Sequence, residues 1–202
     1  MRNILILAAG LGLSGCTANP VASVMLPTLG VTSLQKRDTV DALLDTQTQV
    51  RINVSLLGVS EPMFTALSTE VYEGQVLVTG TLPTPEDRAE AIRIIWTVPT
   101  VRKVIDAIEV GAGEDPGAYL DDMRITAELR GRLLTDGEVR SLNFNIETVR
   151  GTVHLMGLAQ DDRELERVVY HAARVPGVVR VVSHVYLYDD PLRRRAGEPG
   201  SS

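Results

Sequence analysis

The sequence predicts an α+β protein built from two tandem copies of one α-β-β-α-β unit, each with a three-stranded mixed sheet packed on two helices. Three observations predict it. First, the chain matches itself without gaps when shifted by 77 residues. Asp45 falls on Asp122, Leu56-Leu57 on Leu133-Leu134, Gly74 on Gly151, Val76 on Val153 and Gly80 on Gly157. Val98-Pro99 falls on Val175-Pro176, Val101 on Val178 and Val104 on Val181. Second, each copy passes from a four-residue apolar period to alternating strand patterns and back. Third, each copy closes on a Val-Pro pair followed by a valine-rich run.

The chain opens on a cationic start, Met1-Arg2-Asn3, and a mostly apolar run from Ile4 to Leu13. That run is too short to span a bilayer but has the size of a signal-peptide core, so residues 1–15 are expected to be a leader. Residues 16–40 contain Pro20 and Pro27 and are expected to form a tether, although Val21 to Leu34 is apolar enough to dock on a domain. The first unit is placed at 41–110 and the second at 119–188.

Each unit starts with a helix, Asp45 to Leu57 or Asp122 to Leu134. In the second, Ile125, Leu129 and Leu133 recur at four-residue steps with Arg and Glu between them. Two strands around a tight turn follow; in the second copy these are Ser141 to Val149 and Thr152 to Leu158. Gly74 and Gly151 supply the positive φ of a short hairpin, and Gly80 and Gly157 are expected to end the second strand. The second helix is expected near Pro85 to Thr97 and Asp161 to Arg174. Leu165, Val168, Val169 and Ala172 make one apolar stripe, matched by Arg88, Ala91, Ile92 and Ile95. Pro99 and Pro176 stop this helix before the last strand. Residues 111–118, with Gly111, Gly113 and Gly117, are expected to be a short flexible linker that keeps the units close. Residues 189–202 carry Arg193-Arg194-Arg195 among Pro and Gly and are expected to be a disordered tail, either solvated or touching anionic headgroups.

Two resemblances attach to these residues. Leu13-Ser14-Gly15-Cys16, with the chain's one cysteine, resembles the lipobox of bacterial lipoproteins. The resemblance implies cleavage before Cys16, lipid on its sulfur and acylation of its new amino terminus. Thr17, in place of an aspartate, implies the outer membrane. The string Gly151, Val153, Leu155, Gly157, then a charged helix, then Val175-Pro176-Gly177-Val178-Val179-Arg180-Val181, resembles the BON domain of bacterial envelope and osmotic-stress proteins. The first copy departs from it, with Thr100 where the glycine is expected. Lipobox and repeat together resemble the dual-BON outer-membrane lipoproteins of the DolP type. This implies a lipid-anchored protein on the periplasmic face that binds anionic phospholipid and supports envelope integrity.

Composition narrows the function classes. Hydrophobic content of 44% and charged content of 23% suit globular domains. The chain carries 20 basic and 26 acidic side chains, and loss of Arg2 with the leader takes the net charge from −6 to −7. That argues against nonspecific nucleic-acid binding. With Cys16 consumed by lipid, neither disulfide nor thiol chemistry remains.

No nucleophile-base set is evident, so an enzyme is not expected, nor a cofactor or metal. His154, His171 and His184 lie only in the second copy, without zinc-ligand spacing. Gly74 and Gly80 lack the Gly-Lys-Ser/Thr of a phosphate loop. The copies do differ in charge: 45–110 has a net of −4, whereas 122–187 balances nine arginines against nine acids. Arg163, Arg167, Tyr170 and Arg174 lie off the apolar stripe and are the candidate lipid-binding residues; the alternative is a solvated, salt-bridged helix. Trp96, at the border of the first copy's stripe, either seals the core or inserts at an interface. The other functional reading is a protein-protein adaptor for outer-membrane assembly or division machinery, permitted by the acidic first copy and an exposed-looking Ile94.

Overall fold

The structure, a computed structural model, describes residues 39–113, 115–190 and Arg193. The expected leader, the lipidation at Cys16, the tether up to residue 38 and residues 194–202 lie outside the described residues. No helix among them is long and apolar enough to cross a membrane.

Two α-β-β-α-β units follow one another, as the repeat predicts. The first comprises α1 (Thr39–Val59), a short α2 (Glu61–Ala66), β1 (Leu67–Tyr72), β2 (Gln75–Leu82), α3 (Pro85–Trp96) and β3 (Lys103–Val110). The second comprises α4 (Pro116–Thr135), a 3-10 turn (Ser141–Asn143), β4 (Phe144–Val149), β5 (Thr152–Ala159), α5 (Asp162–Ala173) and β6 (Arg180–Leu187). In each sheet the middle strand pairs antiparallel with its hairpin partner and parallel with the last strand. The parallel pairing is what the second helix, as a crossover, makes possible.

Local chemistry sets the helix starts. Thr84 accepts a hydrogen bond from the Asp87 N–H, and Asp161 accepts one from the Glu164 N–H. Pro85 and Pro116 occupy first-turn positions where a missing N–H costs nothing. Each unit has its own core against its helices. Ile52, Leu56, Val76, Val78, Ala91 and Ile95 pack in the first, and Ile125, Leu129, Val153, Leu155, Val168 and Ala172 in the second.

The opposite faces of the two sheets meet. Tyr72, Leu77 and Ile105 from the first unit form one cluster with Met156 and Leu158 from the second, flanked by Ala107, Tyr186 and Tyr188. The order of layers is helices, sheet, sheet, helices. Strand alternation makes this possible, because every second residue points away from its own helices.

Several expectations are corrected. Both leading helices start earlier than predicted, at Thr39 and Pro116. The connection therefore ends at Asp115, whose side chain caps Gly117 as the N-cap of α4, so 116–118 are not linker. Helix α2 was not expected. Gly80 and Gly157 do not end their strands; each lies two residues inside, at φ 126° and 134°. A Cβ there would collide with the Ala66 or Asn143 carbonyl oxygen, so close backbone approach, not a turn, requires glycine. Ile94 is buried in the first core, not exposed. The tail is not disordered at Arg193, whose side chain is buried.

Candidate functional site

One carboxylate in each unit organises the hairpin. Asp45 on α1 accepts from the N–H groups of Glu73 and Gly74, at 2.5 and 2.9 Å. Asp122 on α4 does the same for Arg150 and Gly151, at 2.6 and 2.8 Å. Both residues of each turn take positive φ, as a two-residue hairpin loop requires. The glycine carbonyl then accepts from the start of the third strand: Arg102 N–H bonds to Gly74, and Val179 N–H to Gly151, both at 2.8 Å. The helix, hairpin and last strand are thus locked at one point. Thr100 needs no positive φ, and its hydroxyl meets that of Thr48 at 2.6 Å.

Helix α5 presents the candidate lipid-binding residues. Val168 and Ala172 are fully buried, with Leu165 and Val169 packed beside them. This leaves Arg163, Arg167, Tyr170 and Arg174 exposed on the other side. They are not equivalent. Arg167 donates to Asp136 at 2.6 Å and lies 3.0 Å from Glu138. His171 Nε2 also meets Asp136, at 2.6 Å. Arg167 first, and His171 second, hold the Asp136 carboxyl well below the usual carboxylate range. Arg167 is therefore already engaged. Arg174 stacks its guanidinium 3.4 Å from the Tyr170 ring centroid. Among the described residues neither Arg163 nor Arg174 has a carboxylate partner. The turn after α5 adds Val179, 81% exposed, and then Arg180, also exposed. Trp96 is on the other unit, at the end of α3 and half exposed, so it does not seal the core.

The face between the sheets holds groups that sequence reasoning did not bring together. His154 and His184 stack with ring centroids 5.8 Å apart and planes 9° from parallel. Burial, with Lys103 and His154 adding positive charge, pushes the His184 imidazole down to about 4. Burial, then Arg180, lowers His154 as well. Nearby, Glu70, Glu147 and Arg130 line a small cavity of about 110 Å³. Burial raises both carboxyls, against the pull of Arg130, and Glu70 raises Glu147 further. A more open cleft of about 500 Å³ runs between the start of α4 and the ends of β1 and β2. No three metal-ligating side chains stand together among the described residues.

Ion pairs join the units at both hairpins. Arg150 pairs with Glu109, and Glu73 with Arg193. Glu73 and Arg150 occupy the same repeat position with opposite charge. That reversal between aligned copies was the signal that could have found both contacts.

The comparisons agree with this geometry. The BON domain family matches the chain twice, over residues 44–112 and 121–186. A protein of Anaplasma centrale described as "Uncharacterized protein in gshII 5'region" is 36% identical over 146 residues, covering 72% of this chain and 95% of that one. The "Osmotically-inducible protein Y" of Escherichia coli (strain K12) is 24% identical over 139 residues, covering 68% and 69%. The "21 kDa hemolysin" of Actinobacillus pleuropneumoniae is 27% identical over 122 residues, covering 59% and 62%. The chain belongs to the BON domain family, with two BON domains in tandem.

Proposed function

We propose that this chain is an outer-membrane lipoprotein of the DolP type, anchored at Cys16 on the periplasmic face. Its second BON domain binds anionic phospholipid and so supports envelope integrity. The observation that carries this reading is the exposed α5 face, where Arg163 and the Arg174–Tyr170 stack have no competing carboxylate among the described residues. Guanidinium groups suit bidentate phosphate contact, and a tyrosine with an apolar body suits the headgroup layer. Val179, projecting from the adjoining turn, adds an apolar contact. Arg167 is left out of the binding set because Asp136 and Glu138 hold it. A few such contacts are individually weak, at about 1 kcal/mol per basic residue. They suffice to orient a protein whose attachment is supplied by acyl chains. This is a binding role, with no chemistry asked of any side chain.

Vesicle flotation tests it. Chain lacking the acyl groups should float with vesicles containing phosphatidylglycerol and not with pure phosphatidylcholine. Arg163→Glu combined with Arg174→Glu should abolish flotation without changing the circular dichroism spectrum. Equal flotation with both vesicle types, or an unaffected double variant, would overturn the reading.

A further inference from the structure

We infer that the outward face of α1 is a self-association surface, on which a second copy of this chain docks through its own α1. The helix has two faces of different character. Asp41, Asp45, Thr48, Ile52 and Leu56 face inward and are buried. On the other side Val40, Leu43, Gln47, Val50, Val54 and Leu57 follow one another at alternating steps of three and four residues. Those five apolar side chains are 47–65% exposed, with Leu44 and Val59 adding to the edge. A stripe this narrow, at this spacing, is the seam with which one helix packs along another.

The alternatives fit less well. A helix lying in a bilayer surface is rich in Lys and Arg and carries bulky aromatic anchors. Throughout Thr39–Val59 there is one cation, Arg51, and no aromatic residue. The seam itself bears no charge, so a second copy brings neither repulsion nor an unpaired ion against it. Gln47 stands where a single polar residue sets register between like helices. The seam is interrupted in the second unit. Leu120 and Leu134 repeat Leu43 and Leu57 and are exposed, but at the positions of Gln47, Val50 and Val54 α4 has Arg124, Ala127 and Gly131, so the middle of the stripe is charged and shallow.

Location and size favour a second copy as well. Only residues 17–38 separate Cys16 from the start of α1, so the seam lies on the first helix among the described residues after the proposed attachment point. Two seams of six positions bury an area near the lower end of stable interfaces, about 1,000 Å². The pair is therefore weak in dilution and is promoted when copies share a surface. That promotion rests on anchoring at Cys16; the pairing itself is independent of phospholipid binding by α5.

Disulfide trapping of the full chain in cells tests it, with yields scored separately in membrane and soluble fractions. Single substitutions Val50→Cys and Leu57→Cys should give about tenfold more double-mass product than Glu86→Cys or Asp121→Cys on other exposed faces. Adding Val54→Asp to Leu57→Cys should remove the product. Equal yields on and off the seam would overturn the inference. A product whose mass shows a different protein would overturn it in favour of an adaptor surface. Failure of the seam cysteines to cross-link, with protection from a water-soluble thiol reagent by vesicles alone, would overturn it in favour of the bilayer. Loss of membrane attachment with cross-linking retained in the soluble fraction would count against the anchor and for the seam.

Discussion

Arg193 closes a buried, two-pronged ion pair on Glu73, 120 residues earlier in the chain. Its Nε donates to both carboxylate oxygens at 2.9 and 3.0 Å, and its Nη2 to Oε1 at 2.7 Å, with the side chains 3% and 1% exposed. The Tyr188 ring lies 5.7 Å away. The segment after β6 is thereby fastened to the hairpin of the first domain. At the other end, Arg150 of the second hairpin reaches Glu109 near the end of β3. The hairpin partners, Glu73 and Arg150, hold the same repeat position with opposite charge, whereas Glu109 and Arg193 do not match each other in the repeat. Only the Glu73 contact is buried.

Burial decides what each pair is worth. Arg193→Met should cost about 3 kcal/mol, because it leaves the Glu73 carboxylate buried without its partner. Arg150→Met should cost under about 1 kcal/mol, because that pair is solvent-screened. Adding Glu73→Gln to Arg193→Met should recover part of the loss. Urea denaturation of the three variants checks the order; equal losses for Arg193→Met and Arg150→Met would refute it.

The hairpin carboxylates offer a matched comparison across the repeat. Asp45→Ala leaves two buried N–H groups unsatisfied and should cost about 2–3 kcal/mol. Asp122→Ala faces a turn where the Arg150 N–H reaches solvent, and should cost about 1 kcal/mol. Amide exchange should quicken at Glu73 and Gly74 in the first variant and at Arg150 and Gly151 in the second.

Gly157→Ala and Gly80→Ala should each cost about 3 kcal/mol or more, since the new methyl meets a backbone carbonyl that cannot move aside. Gly131→Ala is the control. A Cβ there meets nothing within 4 Å, in the middle of α4. It should stabilise by about 0.5–1 kcal/mol. Thermal unfolding of the three variants reads both signs at once.

The stacked histidines make the domain interface acid-sensitive. The folded-state value of His184 is lowered to about 4, so between there and the ordinary value near 6.5 the unfolded chain binds more protons than the folded one. Stability is therefore fully present above pH 6.5 and declines as pH falls towards 4. Lys103 adds positive charge beside His184 and Arg180 beside His154, and Glu147 stands opposite His154 in the β4–β5 register. His184→Asn should flatten the decline by about 1 kcal/mol, the partial exposure of the ring having reduced the effect. Denaturant midpoints at pH 7.0 and 4.5 check this. An unchanged slope in the variant would place the sensitivity elsewhere than at His184; Glu70 and Glu147 cannot supply it, because their raised values oppose a decline as pH falls.

Each domain's own fold was legible because its determinants are local and appear twice. The buried residues Leu56 and Leu133, Val76 and Val153, and Val98 and Val175 hold the same places in both cores. Asp45 and Asp122 match because both hairpins require the same acceptor. The misplaced boundaries have a physical cause too. In the first turns of α1 and α4 the apolar residues, Val40, Leu43, Tyr119 and Leu120, are exposed and the inward positions of α1 are Asp41 and Asp45, so the core-facing period begins only further along each helix. Gly80 and Gly157 resembled strand ends because their reason for being glycine is a backbone from another segment. On α5 the apolar stripe was readable from its spacing, but the distinction between Arg167 and its neighbours was not. Asp136 and Glu138, which engage it, come from the loop after α4.

The amino-acid sequence by itself determined the repeat, the class of each element, the two helix-side cores and the address-like string ending at Cys16, all of which depend on nearest neighbours and periodic burial. Only the tertiary structure decided how the two BON domains meet. The faces that meet have diverged, with His154 in the place of Leu77, Met156 in that of Thr79 and His184 in that of Ala107. Contacts between those faces join residues far apart in the chain and have no period. A sequence pattern records burial against a residue's own helices, but not which distant surface will cover the other side of the sheet.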